Sequence, residues 1–393
     1  MFATGDIAWS GKEKEYDQAF LFFRELAQVL ELDLPSQLFL IPGNHDVDRG
    51  AKGPVDDFLL DGLLRSDGTE QQELIARVLK DAASMRLLGR RLEQFYAFTE
   101  RLLGAARRTQ SDKPWRVDLR TVAGIEVAIL QLNSAWASGQ AQEKGRLLVG
   151  AQQLEEALGE AETAKLKFVL IHHPFDYLAD GDAAAVKSRL ADRGGGHFFL
   201  RGHLHATGVE LFSNPDGKFI ELAAGAVYAD TQGPKRFLIG EADLRKGKAA
   251  AEFFTCSDRG FWTVDSLAYR NAKKGRVVLD LPSDLKLERS AGNTGKKARH
   301  ETAIARYRAA VAAVHGRMRF IGFPAAAAGH QPNVGVQQLF VPLRLADAGQ
   351  SADTKKVELS TAELLAQLAP GKKKAGRFVV TSAGTPSPRL WSR

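Results

Sequence analysis

Five apolar runs in the first half of the chain each end abruptly on polar residues. They are "FATGD" (2–6), "LFLIPGNHD" (38–46), "VAILQLN" (127–133), "FVLIHH" (168–173) and "HFFLRGH" (197–203). Short continuous apolar runs of this kind predict strands buried on both faces. Between them the period lengthens. "EKEYDQAFLFFRELAQVLEL" (13–32) and "GAQQLEEALGEAE" (150–162) repeat their apolar residues at helical spacing. Alternating strands and helices predict an α/β domain over 1–280, with a parallel or mixed central sheet. A helix-rich insertion at about 55–110 interrupts it, dominated by the amphipathic stretch from Thr69 to Ala106. Its position suggests a lid or a docking surface.

Past residue 280 the pattern changes. Residues 281–300 are polar, basic and Gly/Ser-containing, and read as a linker. Residues 301–346 read as a helix ("ETAIARYRAAVAAVHGRM"), a strand ("RFIGF") and a further apolar run ("VGVQQLFVPLRL"), and residues 347–393 as a poorly ordered basic tail. Charge follows the same division. Residues 281–393 hold 18 Lys/Arg against 7 Asp/Glu, a balance of +11 within a chain of net +7, which leaves −4 on the first 280. The basic pI therefore belongs to the C-terminal part, which is either a solvated linker or a surface for nucleic acid or another polyanion.

The 393 residues include one cysteine, Cys256, so no internal disulfide forms, and a reducing cytosol is the expected setting. No apolar run reaches 18 residues, and "MFATGDIAWSG" lacks the basic and apolar regions of a signal peptide, so neither membrane insertion nor secretion is expected.

The polar residues at the run ends carry the chemistry. Five of the nine histidines (His45, His172, His173, His203 and His205) lie in these clusters, with Asp6, Asn44 and Asp46 beside them. Ligand sites in open α/β sheets lie beyond the carboxyl ends of strands, so such clusters are placed to converge. Imidazole, amide and carboxylate without thiolate suit a catalytic first-row ion (Mn, Fe, Zn or Co) over calcium or a structural zinc. Asn133 and His197 also sit at run ends; no chemistry is assigned to Asn133, and His197 reads as structural.

Taken in order, "GD", "GNHD", "HHP" and "GHLH" resemble the calcineurin-like metallophosphoesterase superfamily over residues 1–280. The resemblance implies a sandwich of mixed β-sheets flanked by helices, with a small C-terminal α/β extension. It implies two divalent ions and hydrolysis of a phosphomonoester or phosphodiester. Asp6 would bridge the ions; Asn44, His172 and His203 would bind one of them, and His205 the other. His45 would contact phosphate and protonate the leaving oxygen, with Asp46 holding its tautomer. His173 is ambiguous and reads first as a residue that packs beside or supports the ligands. Arg49 and Arg201 are candidates to meet phosphate, with Asp48 at the mouth.

The family pattern also includes an Asp-x-His strand ahead of the "GD", which has no counterpart before Asp6. Without it one ion keeps only Asp6 and His205, so the chain as given holds one ion or two. The sheet lacks its first strand, with an open edge expected beside "FATG". A late-called start or a fragment would each account for this. The alternative reading is a catalytically impaired interaction module; a nuclease is a third. Residues 301–346 resemble the connector that precedes NACHT-type signalling ATPase modules, which implies a fused or neighbouring ATPase partner and a bacterial signalling or defence role.

Overall fold

The computed structural model describes residues 1–285 except 67, 110–111, 193, 228–234 and 258–259, together with the backbone of 376–381. The expected linker (281–300, beyond 285) and connector (301–346), and the rest of the tail, lie outside the described residues.

The chain forms a mixed α/β structure around two sheets. In chain order the elements are β1 (Phe2–Ala3), α1 (Glu13–Leu30), α2 (Leu34–Gln37), β2 (Phe39–Leu40), α3 (Pro54–Arg65), α4 (Gly68–Lys80), α5 (Ala82–Gly89), α6 (Glu93–Leu103), β3 (Arg116–Val122) and β4 (Ile125–Gln131). They continue with α7 (Ala151–Glu160), β5 (Leu166–Leu170), α8 (Asp180–Ala191), β6 (Phe198–Arg201), β7 (Gly208–Ser213), β8 (Lys218–Ala223), β9 (Arg236–Asp243), β10 (Lys248–Cys256), β11 (Trp262–Val264), β12 (Arg276–Asp280) and β13 (Gly376–Thr381).

One sheet runs β3-β4-β5-β6-β8-β7, with its central strands β4, β5, β6 and β8 parallel. The other runs β11-β10-β9-β13-β1-β2, with β12 also on β10. A shared core joins the two: Phe2, Phe39 and Phe253 from one sheet pack with Phe168, Phe198 and Leu222 from the other. Burying such a side chain stabilises by about 1.5–3 kcal/mol, so this layer is the main clamp between the sheets. Helices cover the outer faces. Leu154 and Leu158 of α7 and Val186 and Leu190 of α8 seal one face, and Tyr16, Phe23 and Ala27 of α1 pack with Phe95 and Phe98 of α6 on the other. The spacing of Tyr16, Phe23, Ala27 and Leu30 puts all four on one side of α1, as its sequence pattern predicts.

Two expectations change. The edge beside β1 is not open. β13 occupies it, parallel to β1 (Phe2↔Val380) and antiparallel to β9 (Leu238↔Val380). Residues 376–381 of the expected unordered tail thus form an internal strand. Nor does the insertion stand off as a lid. Leu60, Ile75, Leu79, Met85 and Leu88 form a core with Trp136 and Leu148. The buried Arg91 guanidinium donates to the carbonyls of Leu88, Trp136 and Ser138 at 3.2, 2.5 and 2.7 Å, and lies 3.7 Å from Asp56. The Arg91 carbonyl in turn accepts from Asp48 N at 2.8 Å, which ties the insertion to the loop after "GNHD".

Candidate metal centre

β1, β2, β5 and β6 end on the same side, and their following residues converge. β1 leads to Asp6, β2 to Asn44–Asp46, β5 to His172 and His173, and β6 to His203 and His205. Two glycines permit this crowding. Gly5 has φ +101°, and a Cβ there would collide with His172 Nδ1; a Cβ on Gly43 would collide with Asp6 Oδ1. Asp6 (φ +56°), His203 (φ +71°) and His205 (φ +54°) account for half of the six non-glycine positive-φ residues among those described. Each costs about 1 kcal/mol or more unless its surroundings hold it, and such conformations collect at functional sites.

The hydrogen bonds define what the side chains present. His172 Nδ1 lies 2.5 Å from the Thr4 carbonyl, which only accepts, so Nδ1 carries the proton and Nε2 faces inward. There Nε2 meets Asp6 Oδ2 at 3.3 Å and Asn44 Oδ1 at 3.3 Å. His203 Nδ1 meets the same Asn44 oxygen at 3.2 Å. Asp6 Oδ2, Asn44 Oδ1 and the Nε2 of neutral His172 are therefore electron-pair donors facing one another, and His203 Nδ1 is a fourth in the tautomer that carries its proton on Nε2. Donors bound at about 2.0–2.2 Å to one ion stand roughly 3–3.6 Å apart, so these separations match a shared metal. A proton or a cation has to separate them. The donor set fits a first-row divalent ion.

Electrostatics agree with that assignment. Burial opposes charge on Asp6, but the imidazoles of His172, His45 and His203 override it and hold the carboxyl well below its usual range. Burial also opposes a charge on His172, yet the facing Asp6 carboxylate raises its pKa. Burial, then the neighbouring His172, pushes His203 down to about 3, and burial lowers His205 as well. His203 and His205 are thus biased to the neutral form that binds metal, whereas the proton that Asp6 favours on His172 is one that an ion would have to displace.

His205 lies on the same loop, half-buried, within the electrostatic reach of Asp6, His172 and His45. His45 belongs to the rim. Its backbone N–H donates to Asp6 Oδ1 at 3.2 Å, its Nδ1 donates to the Trp9 carbonyl at 2.9 Å, and its ring lies 5.1 Å from that of Trp9. Its Nε2 is thereby the nitrogen available for proton transfer.

The expected Asp46–His45 pairing is a correction. The carbonyl of Trp9, not Asp46, fixes the His45 tautomer. The fully buried Asp46 carboxylate accepts from Ile7 N (3.2 Å), Ala8 N (2.8 Å), Gly43 N (2.8 Å) and the Tyr16 hydroxyl (3.0 Å). It fastens the loop after β1 to the loop after β2. Burial and the Asp6 charge push its carboxyl up to about 6 against the pull of these backbone donors. Asp46→Asn keeps the shape but substitutes an NH2 group for one acceptor oxygen. The expected result is a loss of about 1–3 kcal/mol in denaturant unfolding with the pH profile of any turnover unmoved. A shifted profile at unchanged stability would restore the tautomer role.

Other expected residues are committed elsewhere. Arg201 pairs through Nε with Glu221, and Arg49 lies at the surface 3.8 Å from Glu143. Asp48 caps the next turn and holds Lys12 at 2.5 Å. Asn133 is structural: its Oδ1 accepts from Ala135 N (2.8 Å) and Trp136 N (3.1 Å). His197 accepts from Lys167 N at 3.0 Å and is also structural. Sequence reasoning left His173 unassigned and overlooked Trp9. The adjacency of "HH" at a run end was a signal for the first; nothing in the sequence marks a backbone carbonyl for the second.

No protein-family model matches the chain, and a search of curated proteins gives no match. Among the described residues, no helix is long and apolar enough to cross a membrane.

Proposed function

We propose that this chain is a metal-dependent phosphoesterase of the calcineurin-like type, its two-sheet core being the metallophosphoesterase sandwich. The observation that carries the reading is a run of close approaches, Asp6 Oδ2 to His172 Nε2 at 3.3 Å, His172 Nε2 to Asn44 Oδ1 at 3.3 Å and Asn44 Oδ1 to His203 Nδ1 at 3.2 Å, in which neutral His172, its Nδ1–H given to the Thr4 carbonyl, brings no N–H to the two oxygens it faces. These four residues would hold one divalent ion; Asp6 and His205 are the donors available to a second. A bound ion would supply Lewis acidity toward phosphoryl oxygen and lower the pKa of water.

The chain's own residues supply the rest. Asp6 keeps its negative charge in a buried setting and so offsets the charge of the ions. Trp9, through its carbonyl, keeps the proton of neutral His45 on Nδ1. His45 Nε2, once protonated, can then give that proton to a leaving oxygen. Glu15 holds the loop carrying Trp9, accepting from Trp9 N (3.2 Å), Ser10 N (2.9 Å) and Lys12 N (3.2 Å). The single cysteine fits a cytoplasmic setting.

The test is hydrolysis of bis(p-nitrophenyl) phosphate and p-nitrophenyl phosphate by the full chain, with metal content measured on the same sample. Activity abolished by a chelator and restored by Mn or Co is the expected result. Stoichiometric metal without hydrolysis of either ester would overturn the phosphoesterase reading and favour an interaction module.

A further inference from the structure

His173 is the one histidine of the cluster to which the proposed function gives no part, and its surroundings are unusual for a packing residue. Its ring is completely buried. Nδ1 lies 2.7 Å from the Ser134 hydroxyl, which sets the ring's orientation from the loop after β4. Nε2 is buried and has no hydrogen-bond partner among the described residues. A buried nitrogen left unsatisfied costs about 1–3 kcal/mol, and packing alone gives no reason for a histidine here in place of an apolar ring.

The position of the ring supplies a reason. It meets His172 edge-on at 4.6 Å between centroids and lies 4.8 Å from the ring of His203. One ligating atom from each of His172, His173 and His203 can be chosen so that all three lie within 4.8 Å of one another. Nitrogens on one ion at about 2.0–2.1 Å stand roughly 3–3.6 Å apart, so side-chain movement of about an ångström brings the three onto a common ion. Tyr177 borders the cluster, stacked on His173 at 6.3 Å and edge-on to His203 at 4.2 Å.

We propose that His173 is a metal ligand through Nε2, sharing with His172 and His203 the ion of the centre described above, with the Ser134 hydroxyl accepting from Nδ1–H to hold the ligating tautomer. This rests on the metal-dependent reading of the site and adds a third imidazole to it. Three imidazoles bias the site toward Zn, Co or Fe over Mn, because imidazole suits those ions better than it suits manganese. The hydroxyl plays the outer-shell part that carboxylates and carbonyls commonly play for metal-bound histidines.

The experiment uses the full chain, stripped with a chelator and titrated with Co(II) and Zn(II). The expected result is that His173→Gln weakens Co(II) binding at least about tenfold and changes the visible Co(II) spectrum. A variant that binds Co(II) as the wild type does, with the same spectrum, overturns the proposal and leaves His173 a packing residue. Because the substitution lies in the core, the wild type is read as well. With histidine-selective 15N labelling, the His173 Nε2 resonance should move to a metal-bound position on Zn(II) addition. An Nε2 resonance unmoved at saturating Zn(II) overturns the proposal even if the variant does not fold. The two readings fail separately. Metal held through His173 with no ester hydrolysed removes the phosphoesterase and keeps the ligand. Hydrolysis with an unaltered Co(II) site in His173→Gln does the reverse.

Discussion

On the proposed function, His203→Ala should empty the metal site and abolish turnover, whereas His45→Ala should keep the metal and lose rate. The contrast follows from where each nitrogen points. His203 Nδ1 stands 3.2 Å from Asn44 Oδ1, inside the convergent donor set. Its removal leaves three donors of the Asp6, Asn44, His172 and His203 group. Even partners that only orient metal ligands are worth 10- to 100-fold in affinity, so losing a ligand itself should cost at least about a hundredfold. His45 gives its Nδ1 to Trp9 and reaches Asp6 only through its backbone N–H, which alanine retains. Losing a general acid lowers turnover by about 10²–10⁴-fold. Metal content after gel filtration and kcat on a diester separate the two variants. If His45→Ala loses its metal, the assignment of His45 to the rim is wrong. If His203→Ala keeps a full complement, the donor set is wrong.

The contrast was partly legible in the sequence, for a physical reason. A buried parallel strand is a continuous apolar run, and its carboxyl end is marked by the first polar residue. "FATGD", "IPGNHD", "VLIHH" and "FLRGH" therefore announce both the strands and the residues that cluster beyond them. Periodicity likewise marks the buried face of α1. It says nothing of direction once a side chain leaves its own element. Asp46 follows His45 in the chain, yet its carboxylate turns to Ile7, Ala8, Gly43 and Tyr16, because four donors left unmet in a buried loop outweigh one imidazole. His45 is then held by a main-chain carbonyl 36 residues away, a partner without sequence identity. Insertion and lid were confused for a related reason. Apolar residues such as Leu60 and Ile75 signal that a helix is covered, but not that Trp136 and Leu148 cover it. Pairing between β13 and β1 joins residues more than 370 positions apart, and nothing local in "GRFVVT" names its neighbours.

Val380→Pro in β13 should be the most damaging single change outside the candidate metal centre. Val380 is paired on both sides, with Leu238 of β9 and Phe2 of β1, so it lies inside the sheet and not at its edge. Proline brings no N–H to a ladder that has neighbours on both sides, and its ring fixes φ away from the extended value. The cost should be at least about 3 kcal/mol, which lowers Tm by on the order of 10 °C in a domain of this size. The damage should also be directional. β13 is the link between β9 and β1, and β1 runs directly into Gly5 and Asp6. Loosening it frees the two-residue strand that sets the Asp6 carboxylate against His172, so metal affinity falls along with Tm. Val278→Pro is the control. It lies in β12, which pairs with β10 on one side, and it should cost less and leave metal affinity intact. Thermal unfolding and Co(II) titration of both variants decide the matter. If Val380→Pro melts and binds metal as the wild type does, β13 does not complete the sheet, and β1 holds Asp6 in place through β2 alone.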